Sequence, residues 1–508
     1  MLLSDVVEVS NEVAATRSRL AKRSTLATLL RRAEIEDIEI VVTYLAGELR
    51  QRRTGVGWAG LASLPEPAAA PTLTVHVVDA AFAAMSVLSG RGSAAARSAA
   101  VATLFGQATA AEQRFLRGLV SGDVRQGALD AVVLDAVAEA AGVPVAAVRR
   151  AAMLRGATAP VASAALTGGV QALTAFTVTP GQPVRPMLAS TAPDVGWAFA
   201  KIGAAPSAVD VKLDGIRIQV HKSGSSVSVF TRSLDDITAR LPEVVSLAQA
   251  LPVDSVILDG EAILVDVSGR PRPFQETASR TSTLQVGQRT DERQEMRGYF
   301  FDCLHVDGED LIDKPLIERL VHLDRLLPTA AVVPRLVTSD QQAALTFFEE
   351  AVDAGHEGVV VKATAATYEA GRRGAGWVKV KPRHTLDLVV LAVEWGSGRR
   401  QGMLSNIHLG ARDEAGAFVM LGKTFKGMTD EMLAWQTERF LELETRRTSY
   451  VVHVRPEQVV EIAFDGLQTS TRYPGGVALR FARVLRYRDD KSAAEADTIE
   501  TVRALHES

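Results

Sequence analysis

The spacing of apolar residues changes near residue 180. Over residues 1–182, Ala, Leu and Val recur at helical intervals, as in Ala27 to Leu49, Ala111 to Leu119 and Leu129 to Ala140. Helix stops stand at Gly90/Gly92, Gly122 and Gly142–Pro144. Beyond residue 186 the pattern turns to short runs of period two. A helix hides one stripe of its surface and a strand hides one face, so the two periods predict separate domains. Thr177 to Pro186, with Pro180, Gly181 and Pro183, reads as the linker between them.

After the linker, Ile216 to His221 and Val227 to Phe230 flank a Ser223–Ser226 turn and predict a β-hairpin. Further strands are expected at Ser255 to Asp266, Tyr299 to Val306, Gly358 to Val361 and Trp377 to Lys381, with a helix at Thr338 to Ala354. This is a mixed α/β domain. Pro382 to His384 reads as a hinge. The remainder offers strands at Leu386 to Glu394, Phe418 to Leu421 and Gln458 to Phe464, and a helix near Asp430 to Thr445, which suits a small barrel.

Charge and cysteine narrow the functions. Lys+Arg 56 against Asp+Glu 60 gives a net charge of -4, so bulk charge does not hold this chain on nucleic acid, although a local basic channel remains open. Only 11 residues are lysine, so their clustering carries information. The one cysteine, Cys303, can build neither a disulfide framework nor a cysteine zinc site, and predicts a reducing compartment such as a cytoplasm. Met1 to Ser10 carries Asp5 and Glu8, unlike a signal peptide, and no apolar run approaches the ~20 residues a membrane span needs.

Five segments carry chemistry. Lys212-Leu213-Asp214-Gly215-Ile216-Arg217 puts a lysine on a strand entering a glycine turn. Such an amine becomes a nucleophile when burial or neighbouring charge lowers its pKa. In Trp377 to Lys381, Lys379 and Lys381 share one face and Val378 and Val380 the other. That cationic platform suits phosphates and disfavours protonation of a third amine nearby. Asp259-Gly260-Glu261 and Glu357 to Lys362 each set a carboxylate beside glycine, able to hold a hard divalent cation. Phe300 and Phe301 alternate faces, so one can be core and the other pocket wall. Taken singly, each has a plainer reading as an edge lysine, a solvated sheet edge, a turn acid or a core ring. The nine histidines lack metal-ligand spacing, and the glycines of Gly371 to Gly376 lack the Lys-Ser/Thr of a P-loop.

In order along the chain, these segments resemble the motifs of ATP-dependent DNA ligases, members of the covalent nucleotidyltransferase superfamily. Lys212 to Arg217 is similar to motif I, with Thr231-Arg232-Ser233 as the next element. Asp259 to Glu261, Phe300-Phe301-Asp302, Glu357 to Lys362 and Trp377 to Lys381 resemble motifs III, IIIa, IV and V. Leu479 to Arg483 and Arg488 to Lys491 look like motif VI. Phe115 to Ala128 resembles the helical DNA-binding domain that precedes this core in many cellular ligases, and Pro183 to Ala189 resembles the family's lead-in. Asp210 stands where many ligases have Glu, Ala482 where Pro is usual, and Arg373 where Ser often precedes motif V.

The resemblance implies a multidomain α, α/β and β chain. Residues 1–180 would be a helical DNA-binding domain, 183–383 a nucleotidyltransferase (adenylation) domain and 384–508 an oligonucleotide-binding (OB-fold) barrel. It implies nick sealing by ATP in replication, repair or recombination, with Lys212 as the nucleophile that becomes lysyl-AMP. Asp210 would read adenine and Phe301, rather than Phe300, would stack on it. Arg217 and Arg232 would contact nucleotide and 5′-phosphate, and Lys362, Lys379 and Lys381 would steady the α-phosphate. Glu261 and Glu357 would serve Mg2+ (or Mn2+) and ribose. Arg488 and Lys491 would orient pyrophosphate from a barrel that swings about the hinge. The implied partners are ATP and nicked double-stranded DNA, encircled by a monomer without a membrane, in the cytoplasm or on a bacterial nucleoid. RNA capping enzymes and RNA ligases share the Lys-x-Asp-Gly core but not the helical domain. NAD-dependent ligases need cysteines that are missing, and a non-enzymatic DNA-binding module would not need the reacting side chains present here.

Overall fold

The architecture is given by a computed structural model that describes residues 1–51, 53–124, 126, 130–203, 205–282, 294–370, 373–382 and 384–507. Gly127 and Ala128, part of the Gly-rich stretch (371–372) and Arg383 of the expected hinge lie outside the described residues.

Helices fill the described residues between Leu3 and Leu173 and bury Leu26, Val41, Phe82, Phe105 and Val133 in one core. The Ala110–Ser121 helix shows how sequence sets its ends. Thr109 and Glu112 form a reciprocal capping box, and Gly122 closes the helix at φ +66°. The Ala27 to Leu49 run is two helices, Arg19–Arg32 and Ile38–Leu45, because the polar Glu34–Asp37 turn interrupts it. Among the described residues no helix is long and apolar enough to cross a membrane.

The expected linker is a strap rather than a loose spacer. Val178 and Val184 are buried in the central domain's core, and Gly181 N–H donates to His221 Nδ1 at 3.0 Å. Val184 N–H donates to Gln219 Oε1 at 2.8 Å. Its apolar valines and its backbone groups both find partners, which flexible linkers lack. Met153 and Leu154, on the preceding Val145–Arg155 helix, also belong to that core. The packing seam therefore lies inside the helical region.

The central domain has two five-stranded sheets. Its strands are β1 (Leu188–Thr191), β2 (Ser207–Val211), β3 (Ile216–Ser223), β4 (Ser226–Thr231), β5 (Ser255–Asp266), β6 (Gln294–Val306), β7 (Glu309–Asp310), β8 (Arg335–Thr338), β9 (Val359–Ala363) and β10 (Arg373–Val380). One sheet runs β1-β10-β9-β2-β8, parallel only at β1-β10, and the other runs β4-β3-β5-β6-β7. Alternation along β5 positions the chemistry. Val256, Leu258, Ala262 and Leu264 pack into one core, while Ile257, Ile263 and Val265 face the other. Asp259 and Glu261 share the second face, toward the first sheet.

The C-terminal domain is β-rich and built on the long β11 (His384–Trp395). Around it lie β12 (Leu404–Arg412), β13 (Phe418–Thr424), β14 (Glu444–Arg447), β15 (Val451–Val454), β16 (Val459–Phe464), the β17–β18 hairpin (Gly466–Thr469, Val477–Arg480) and β19 (Arg483–Tyr487). β11 pairs with β12, β15 and β16, and the Asp430–Glu442 helix buries Leu433 and Phe440 against the barrel core.

Candidate active site

A cavity of about 270 Å³ opens between the two sheets of the central domain. The first sheet and its lead-in supply Met187, Leu188, Asp210, Lys362, Trp377 and Lys379, and the second supplies Arg217, Arg232, Glu261 and Phe301. Lys212 lines the same cavity.

Lys212 stands one residue past β2, not within a strand as the sequence suggested. Its N–H donates to Gly358 O at 2.7 Å, and Glu357 N–H donates to Lys212 O at 3.0 Å, so two distant segments are clamped side by side. Gly358 makes this possible. Its φ is +126°, and a methyl group there would overlap the Val380 carbonyl oxygen. The Glu357 carboxylate then receives the Lys212 ammonium on one oxygen and the Lys381 ammonium on the other. Gly215 serves likewise, since a side chain there would collide with Ile263 and the Ala262 carbonyl beside Glu261.

Arg217 is held bidentately by Asp259, with Nε to Oδ1 at 2.7 Å. Its guanidinium lies 4.6 Å from the Phe301 ring centroid and 5.6 Å from that of Trp377. The expected split of the phenylalanines holds: Phe301 lines the cavity and Phe300 is fully buried in the opposite core. Lys362 is boxed between Phe301 (4.4 Å) and Trp377 (4.3 Å) and ion-paired with Asp210 at 2.5 Å. Burial drives Asp210 up and Lys362 down, each against the pull of the other. Asp210 is thus the counter-ion of Lys362, with both its carboxylate oxygens shut away from solvent.

Charge in the site follows burial. Burial pushes the Glu261 carboxyl up to about 7, against the opposing pull of Arg217 and Lys212. Lys379 is lowered by burial and by its neighbours Lys381 and Lys212. Lys381 goes the other way: burial opposes its charge, but Glu357 and Asp465 outweigh it. Among the described residues no group of three or more His, Cys, Asp or Glu could hold a metal. Of the two expected metal carboxylates, Glu357 is engaged by two ammonium groups, whereas Glu261 lines the cavity and shows no ion pair shorter than 4.0 Å to a described residue. A cation that keeps most of its ligands as water and phosphate oxygens fits one such carboxylate.

The C-terminal domain reaches the site with residues other than those expected. Arg488 and Lys491 do not line the cavity. Both pair with Asp387 of their own domain, at 3.1 and 2.6 Å. Instead Asp465 accepts from Lys381 at 3.1 Å, and Arg480 donates to Asp214 at 2.9 Å. Phe481 follows Arg480 in a left-handed conformation (φ +55°), half-exposed, with Lys426 5.3 Å from its ring. Sequence reading missed Asp465, the partnership of Arg480 with Asp214, and Tyr368, whose hydroxyl donates to Asp259 at 2.8 Å. No spacing rule points to any of them. Tyr368 stands between two recognisable motifs, Glu357 to Lys362 and Trp377 to Lys381.

Family models match three parts of the chain: a DNA ligase N terminus at residues 62–138, an ATP dependent DNA ligase domain at 186–381 and an ATP dependent DNA ligase C terminal region at 400–491. The chain is 68% identical to a probable DNA ligase of Beutenbergia cavernae, over 99% of each chain. It is 60% identical to a probable DNA ligase of Mycolicibacterium gilvum, over 100% of this chain and 99% of that one. The solved structure Pmar-Lig_PreS3 superposes with a TM-score of 0.63 at 18% identity, over 95% of this chain and 99% of that one, and shares the fold. The three matched regions and the end-to-end relatives agree with the cavity: the chain belongs to the ATP-dependent DNA ligases, enzymes that seal nicks through an adenylate intermediate.

Proposed function

We propose that the inter-sheet cavity binds ATP and that Lys212 carries AMP. The observation that supports this most is the convergence of Lys212, Arg217, Arg232, Lys362 and Lys379 on one cavity that also holds Phe301 and Glu261. Lys212 Nζ, having lost a proton, attacks the α-phosphorus; the new N–P bond forms as the bond to pyrophosphate breaks. Lys379 stabilises the charge that builds on the α-phosphate, Arg217 binds the nucleotide, and Lys381 holds Glu357 beside the nucleophile. Phe301 packs against the base. AMP then passes to a 5′-phosphate, Lys212 leaves as the amine, and the 3′-hydroxyl displaces AMP.

Mg2+ (or Mn2+) fits at Glu261, where it would neutralise phosphate charge. Arg232 lines a second cavity, against the helical region, as well as the first, which suits a contact to the nick. Residues 1–180 then clamp DNA, 183–383 carry the chemistry and 384–508 close the ring as a monomer, within a cytoplasm or nucleoid. Replication, repair and recombination all supply such nicks. Arg488 and Lys491 would act only after the barrel turns about the residues near Pro382, trading Asp387 for pyrophosphate. A sealing assay on nicked duplex with ATP, dATP, GTP and NAD side by side tests the substrate. Ligation with ATP far above GTP and NAD is expected, and equal ligation with NAD refutes the reading.

A further inference from the structure

We infer that Tyr368 is a positioning residue that sets Arg217 and the opposite cavity wall together, through one hydroxyl. Tyr368 is 2% exposed and Asp259 is 1% exposed. The Tyr368 hydroxyl accepts from Met187 N–H at 3.0 Å and donates to Asp259 Oδ2 at 2.8 Å. A backbone N–H can only donate and an ionised carboxylate can only accept, so the phenolic proton has one place to point. Asp259 spends both oxygens on Arg217. The chain of bonds therefore runs from Met187 through Tyr368 and Asp259 to Arg217.

Its two ends lie on two walls. Met187 opens the lead-in wall, continued by Leu188, Ala189 and Thr191, while Arg217 stands on the second sheet. The Tyr368 ring meets Trp377 edge-on at 6.2 Å, and Trp377 in turn meets Phe301 edge-on at 5.8 Å. The ring thus fixes the hydroxyl from behind. Phenylalanine would keep the ring packing but strand a buried N–H and remove a donor from a buried carboxylate. The inference rests on the cavity being the ATP site.

The test is single-turnover self-adenylylation of the full chain over a range of ATP concentrations. Tyr368→Phe is expected to raise the half-saturating ATP concentration about tenfold, with the maximal rate little changed. In an Arg217→Ala background the same substitution should add less than twofold, because the residue it positions is gone. An equal factor in both backgrounds, no rise in the native background, or a loss confined to the maximal rate would overturn it. Should Tyr368→Phe lose cooperative unfolding, Asp259→Asn in the same two backgrounds carries the test. If Arg217→Ala itself leaves the ATP dependence unchanged, the ATP-site reading fails. If Arg217→Ala shifts it and Tyr368→Phe does not, only the inference fails.

Discussion

Arg480 of the C-terminal domain donates to Asp214 of the central domain at 2.9 Å, two residues beyond Lys212, although 266 positions separate the pair in sequence. The contact ties the barrel to the turn that follows Lys212. Both side chains are about a third exposed, so the pair is worth ~0–1 kcal/mol. Arg480→Ala or Asp214→Asn should therefore slow sealing of pre-adenylylated nicks only about three- to fivefold, and raised salt should shrink the difference. Quench-flow sealing rates at two salt concentrations check this. A hundredfold loss would mean that Arg480 does more than hold the domains together.

Arg488 and Lys491 are turned onto Asp387, away from the cavity. If they serve only the reaction with ATP, Arg488→Ala or Lys491→Ala should depress self-adenylylation at least tenfold more than sealing of pre-adenylylated nicks. Equal losses in both assays would refute a barrel that changes face between steps.

Glu261 titrates at about 7 because burial disfavours its charge. A divalent cation beside it would favour the carboxylate, so at pH 7 binding of the metal–nucleotide should release a proton. Calorimetry in buffers of different ionisation enthalpy measures that proton, and Glu261→Gln should remove it. The same shift has a sign for stability. The folded pKa lies above the ordinary 4.5, so this group's contribution is complete below about 4.5 and lost as pH rises through about 7. Unfolding free energies of the free protein should fall less over that range in Glu261→Gln.

Gly156 caps the Val145–Arg155 helix at φ +74°, and a methyl group there would lie 2.7 Å from the Pro183 carbonyl oxygen and 2.9 Å from Leu234. Gly156→Ala should cost roughly 1–3 kcal/mol in thermal unfolding. A neutral result would show the seam between helical region and central domain to be soft.

Much of the site was legible because covalent spacing set it. Lys212, Asp259, Glu261, Phe301 and Lys379 sit at strand ends or on alternating strand faces, and β5 occupies the very residues, Ser255 to Asp266, that alternation marked. Short β1 and β8 were invisible, since four residues carry too little periodicity and owe their place to pairing with β10 and β2. The linker misled because proline and glycine mark turns without saying whether the valines among them find a core. The pairing of Arg480 with Asp214, and the roles of Asp465 and Tyr368, were unreadable for a third reason. Each acts through a partner more than 80 residues away, which only the folded arrangement of domains and sheets supplies.

The central claim is that Lys212, clamped against Glu357 at the mouth of the inter-sheet cavity, receives AMP. Incubation of the full chain with ATP labelled at the α-phosphate and a divalent cation, followed by denaturing electrophoresis, measures it directly. The native chain should carry the label and release it to nicked DNA, while Lys212→Ala should carry none. A labelled Lys212→Ala protein would contradict the account.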